Sequence, residues 1–286
     1  MNYLKAVTEV IVILLLIEAA VQTHDRIWMD NTAYASFIHA NPPVWLPMVA
    51  LLSCAFLALW LLVRRYAASV LSRRVGRLPI AVEPLLPASL WRTAGPDLRP
   101  SHWLRFVLFG LLAAAAFSCL NGLSFVSARF PELHAFLTQF MSARYSPLVP
   151  LALLIGVPFE ELVFRGLIMR RLLGAFPFAA ALIVQALLTA ALQPGLAVMA
   201  LGCALGIAYG FVFRHWGTLW PTIVMALSFN LALFALFQSG VITEIARLSD
   251  KALGLLLPLI MLAAALLIAE LLRPAGTVAV RHSARH

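Results

Sequence analysis

The chain has 286 residues, 63% of them hydrophobic and only 12% charged, with a mean hydropathy of +0.94. Apolar runs of about 18 residues or more recur along its length, which points to an all-α, polytopic membrane protein and away from a soluble domain. The short alternating segments of a β-barrel are not seen. The net charge of +9 comes from basic residues scattered beside apolar spans, a pattern of membrane topology rather than of nucleic-acid binding.

Eight transmembrane helices are expected, at about residues 6–22, 44–63, 104–125, 148–168, 176–193, 196–213, 219–238 and 253–272. The first follows Lys5 and has the look of a signal sequence, with Ala19-Ala20 near its end. Because seven more spans follow it, an uncleaved signal anchor is the better reading. It carries Glu9, expected to face the bundle, and Glu18, expected to reach the interface. When the spans alternate from a cytosolic N-terminus, Arg26, Arg129, Arg144, Arg247 and Lys251 fall on the far side. Every other basic residue falls on the cytosolic side, which places both termini there.

Residues 64–102 form the longest polar connection, rich in Arg and Pro and flanked by Trp91 and Trp103. They read as a surface loop attracted to anionic lipid headgroups. In 130–144, Leu133, Phe136, Leu137 and Phe140 recur at helical spacing after Pro131. This predicts an amphipathic helix on the far interface. Cys54, Cys119 and Cys203 lie in apolar spans without pairing or metal spacing and read as small core residues.

The fourth span holds the unusual stretch Pro158-Phe159-Glu160-Glu161-Leu162-Val163-Phe164-Arg165-Gly166. Charge at membrane depth costs roughly 2.5–3.5 kcal/mol per residue even on mild scales, so such groups face the interior and act there. Glu161 and Arg165 are four apart and share a helix face, where they can form an ion pair. Glu160 lies about 100° round and has Phe164 at its own +4 position. One carboxylate is thus neutralised locally and the other is left for chemistry.

The later spans repeat small or polar residues. Gln185, Thr189 and Gln193 make a polar stripe in the fifth, and Thr222, Ala226 and Asn230 share a face in the seventh. Gly202, Gly206 and Gly210 repeat small-xxx-small in the sixth, a packing pattern that lets helices approach closely.

Glu160-Glu161-x-x-x-Arg165-Gly166, with Gly217-Thr218-Leu219-Trp220 and Asn230 beyond it, resembles the CAAX-protease and bacteriocin-processing (CPBP) family of intramembrane endopeptidases, also called the abortive-infection family. The resemblance covers roughly residues 147–238. It implies three regions: an N-terminal part (1–146), a CAAX-protease-like core (147–238), and a last span with a basic tail (239–286). It also implies an active site open to the cytosolic side, in which Glu160 activates a water and Glu161 pairs with Arg165. The family's later motifs supply two histidines and an asparagine. Here Gln193 and Ala226 stand at the histidine positions, and Asn230 stands at the asparagine position. No histidine lies within a span, so a His/Glu metal site is not expected, and no cofactor is implied. A straight fifth span would leave Gln193 more than ~10 Å from Glu160 along the membrane normal, unless the helix tilts or starts late.

These residues suggest hydrolysis of a peptide bond in a membrane-anchored protein by Glu160, with Glu161, Arg165, Gln193 and Asn230 in support. The setting would be the cell's inner (plasma) membrane. The alternative is a catalytically inactive homologue acting as a membrane scaffold, immunity or assembly factor, with Glu161–Arg165 kept as a structural pair. A proton-coupled transporter using Glu9, Glu160 or Glu270 ranks last, because paired interrupted helices in matching halves are not evident.

Overall fold

In the computed structural model, the described residues are 3–75, 91, 98–133, 135, 147–193 and 195–273, and among them the chain is helical without strands. Helix α1 (Tyr3–Trp28) turns through α2 (Thr32–Ala40) and a short 3-10 turn (Pro42–Val44) into α3 (Trp45–Val75). After α4 (Pro100–Gly122) and the short α5 (Ser124–Arg129) comes α6 (Leu148–Glu161). It continues without a break through a π-helical stretch (Leu162–Met169) into α7 (Arg170–Leu173). The remaining helices are α8 (Phe178–Ala191), α9 (Leu196–Trp216), α10 (Trp220–Gln238), α11 (Val241–Ala246) and α12 (Asp250–Leu271).

Among the described residues, five helices are long and apolar enough to cross a membrane: Trp45–Ala67, Pro100–Gly122, Leu196–Trp216, Trp220–Gln238 and Asp250–Leu271. Phe178–Ala191 is apolar but shorter. Helix α3 does not stop near residue 63, as the hydropathy suggested, but runs on to Val75. The added turns hold Arg, Tyr, Ala, Ser, Val and Leu, and the first helix breaker in the sequence is Gly76. Most of the polar connection up to residue 97, most of 130–144, and the basic tail after Arg273 lie outside the described residues.

The interior is built in layers around α6. On one side α1 and α3 pack Val10, Ile13 and Leu57 onto Val163, Phe164, Leu167 and Ile168 of the π stretch. On another side Phe106 and Phe109 of α4, Val149, Leu153 and Val157 of α6, Tyr209 and Val212 of α9, and Met225 of α10 share a core. Helix α12 sits at the edge, joined to α4, and leaves Leu255, Leu259, Leu262 and Leu266 exposed, as suits contact with lipid.

Glycine sets the closest approaches. A Cβ at Gly110 would stand 2.5 Å from Ser228 Cβ and 2.6 Å from the Met225 carbonyl oxygen, so α4 and α10 touch backbone to backbone there. On α9, a Cβ would meet Leu182 at Gly210, Ala186 at Gly206 and Ala190 at Gly202. The small-xxx-small row is therefore the seam between α8 and α9.

Buried charge ties the bundle together at one end. Glu9 of α1 meets Arg64 of α3 at 3.2 Å and Arg171 of α7 at 3.1 Å, and is almost fully buried. Glu18, by contrast, is exposed and accepts from Gln22 at 2.8 Å. At the opposite end of α1, His24 is fully buried, bonded to Asp25 at 3.0 Å and to the Tyr34 hydroxyl at 2.9 Å.

Candidate active site

The site starts with a defect in α6. Pro158 lies inside the helix, where it has no N–H for the Leu154 carbonyl and crowds the preceding turn. Four residues later the helix widens into the eight-residue π stretch. π segments are uncommon and frequently mark functional sites. Glu160 and Glu161 close the α-helical part, and Arg165 and Gly166 lie within the widened part.

Arg165 Nη1 donates to Glu161 Oε1 at 2.8 Å, and both side chains are only 3% exposed. The guanidinium carbon lies 5.3 Å from the centre of the Tyr209 ring and 6.0 Å from that of Phe164. An aromatic face offers a desolvated cation favourable electrostatics that water would otherwise supply. Thr222, fully buried on α10, faces Glu161 and donates its own hydroxyl to the Leu219 carbonyl at 3.0 Å. Among the described residues, the second Glu161 oxygen, Arg165 Nε and the Tyr209 hydroxyl are buried without a hydrogen-bond partner.

Glu160 differs in kind. It is partly exposed and makes no ion pair or hydrogen bond with a described residue. It nevertheless lies within electrostatic reach of both Glu161 and Arg165. Two carboxylates thus share one guanidinium, and the geometric bond goes to Glu161. The division drawn from helical spacing, with one glutamate paired and one left over, is the arrangement seen.

The other expected site residues sit elsewhere. Gln193 packs against α9 at Gly202, where a Cβ would be 3.1 Å from its Cγ. Tyr209, beside the ion pair, is seven residues farther along α9, a rise of about 10 Å. Gln185 is the stripe residue nearer that level, buried against Gly206 and Gly210 and donating to Thr189 Oγ1 at 2.8 Å. Asn230 donates to the Ala226 carbonyl of its own helix at 2.9 Å. It stands two turns beyond Thr222, roughly 12 Å along α10. The structure brings together Glu160, Glu161 and Arg165, and leaves Gln193 and Asn230 toward the other end of the bundle.

Residues 142–232 match the family described as Rce1-like, type II CAAX prenyl endopeptidase Rce1-like. That segment of the chain is similar to the family. The match spans about a third of the sequence and contains every residue of the site described above. Neither a curated protein nor a solved structure matches the chain. Its long apolar helices make this a multi-pass integral membrane protein, and the matched segment is similar to a membrane protease family.

Two neighbours of the site were not singled out from sequence. In the sequence Thr222 is one member of a helix face, and Tyr209 is one more aromatic residue in an apolar span. The usable signal for Tyr209 is that it is the one tyrosine between residues 148 and 272, in a stretch where phenylalanine and leucine would fill the same space. Among the described residues, no group of three or more His, Cys, Asp or Glu side chains converges as a metal site would require.

Proposed function

We propose that this protein is an intramembrane endopeptidase of the CAAX-protease-like glutamate type, cutting a peptide bond of a membrane-associated protein near the cytosolic face. The observation that carries the reading is Glu160, a partly exposed carboxylate beside a buried pair that already uses the Arg165 guanidinium. Such a group is available to take a proton from a water attacking a peptide carbonyl. Glu161 and Arg165 position it: their bond fixes the helix turn that presents Glu160, and the guanidinium offsets part of the negative charge. The substrate enters from the lipid as a membrane-anchored chain, and anionic headgroups attract the basic cytosolic surface.

The test is Glu160→Gln, which keeps size and hydrogen bonding but removes the base. Loss of a general base costs on the order of 10²–10⁴ in rate. Membranes carrying wild-type protein should therefore accumulate cleavage products that the variant fails to make at equal folded yield. Equal products would reject the reading. The scaffold alternative draws on a specific observation, that glutamine and alanine occupy the positions of the family's histidines. It requires Glu160→Gln to leave both processing and cellular phenotype untouched.

A further inference from the structure

The Tyr209 hydroxyl is unusual for a buried side chain. The ring is packed, 4% exposed, against Phe109 at 6.4 Å between centres and beneath the Arg165 guanidinium. The phenol oxygen itself is buried, with no hydrogen-bond partner among the described residues. Burying an unpartnered hydroxyl destabilises a fold, and a phenylalanine here would keep the packing and the cation–π contact without that penalty. The hydroxyl also lies within electrostatic reach of Glu161, Arg165 and Glu160 together. It is a hydrogen-bond donor whose ring lies under the Arg165 guanidinium, on a helix whose Gly210 seam with α8 fixes its position. Asn230, expected to support the reaction, donates an amide hydrogen to the Ala226 carbonyl about two turns beyond Thr222.

We propose that Tyr209 is a catalytic residue, the donor that stabilises the oxyanion formed when water adds to the scissile carbonyl. The inference rests on the peptidase reading above. Glu160 takes a proton from water as the water oxygen bonds to the carbonyl carbon. The carbonyl electron pair moves onto oxygen, and Tyr209 O–H donates a hydrogen bond to it without giving up its proton. The pair then returns to re-form C=O, the C–N bond breaks, and the leaving nitrogen takes the proton from Glu160. The products are a carboxyl terminus and an amine, and both glutamates and the tyrosine end as they began. Arg165, stacked on the ring, keeps the phenol from rotating away and favours charge on the acceptor.

Wild type, Glu160→Gln and Tyr209→Phe are expressed in the same membranes, and new protein termini are quantified by mass spectrometry. A peptide spanning a Glu160-dependent cleavage site, kept with its membrane anchor, then serves as the probe for initial rates. Removing one oxyanion donor lowers kcat by roughly 10²–10³. Tyr209→Phe is therefore expected to lose that factor with KM little changed, while its thermal midpoint stays level or rises. Fluorotyrosine at position 209 fits the same space and acidifies the hydroxyl, so it should change kcat but not KM. Rates left unchanged by both substitutions, with Glu160→Gln inactive, overturn the role of Tyr209 and leave the peptidase standing. Absence of any Glu160-dependent terminus overturns the peptidase reading and this inference with it.

Discussion

Replacing Arg165 by methionine tests the argument about the buried pair most directly. The change keeps a long apolar side chain in the π stretch but leaves Glu161 without its cation. Removing one partner of a buried pair costs about 3–5 kcal/mol. The structure favours the lower end, because the contact is a single 2.8 Å hydrogen bond and one Glu161 oxygen already lacks a partner. About 3 kcal/mol corresponds to roughly two powers of ten in the folded-to-unfolded ratio. For a chain of this size it lowers the melting midpoint by roughly 6–12 °C. Tryptophan fluorescence during heating of the detergent-solubilised protein reads this out. The double variant Glu161→Gln with Arg165→Met removes both charges and should recover more than half of the loss, since the cost lies in the stranded carboxylate. A single variant within ~1 kcal/mol of wild type, or a double variant as unstable as the single, would refute the reasoning.

The same melting assay checks four other outcomes. Glu9→Gln leaves Arg64 and Arg171 facing a neutral amide and should destabilise by about 3 kcal/mol. Arg105→Ala breaks a 2.9 Å contact with Glu270 whose side chains are 34% and 45% exposed, and should cost under about 1 kcal/mol. Gly110→Val must push α4 away from α10, because the first added carbon already overlaps Met225 and Ser228, at a cost of about 1–3 kcal/mol or more. By contrast Gly254→Ala, with nothing within 4 Å of the new carbon, should be neutral or stabilise by up to about 1 kcal/mol.

The sequence was most informative where partners lie within two helical turns. Four-residue spacing was enough to pair Glu161 with Arg165, to set Gln185 and Thr189 on one stripe, and to mark the glycine row as a packing face. It could not show that Glu9 meets Arg64 and Arg171, since those contacts depend on how three distant helices are rotated and stacked. The π stretch was also hidden: Pro158 signals a disturbed helix, but which turn widens depends on packing by α1 and α3. Tyr209 was hidden for a related reason. In the sequence it is one more aromatic residue in an apolar run, and only the position of α9 against α6 shows that its hydroxyl ends beside charge. Residues expected from family spacing, Gln193 and Asn230, are set apart because each turn of helix carries a side chain about 5.4 Å along the bundle.

The contact of Glu9 with Arg64 and Arg171 also works as a depth gauge. Charged side chains of this kind settle near a membrane boundary unless function holds them deeper. Arg171 follows Glu161 by ten residues on one continuous helix, a rise on the order of 15 Å. That depth stays within the cytosolic half of a hydrocarbon layer of ~30 Å. On the proposed peptidase reading, a peptide bond reaching Glu160 would have to travel that far below the boundary with its backbone amides stripped of water. A regular helix cannot expose a carbonyl carbon to attack, so the segment to be cut must be unwound where it meets the site. Chains with glycine, proline or a free end at that depth would be opened at the lowest cost, and a stiff leucine helix would be passed over.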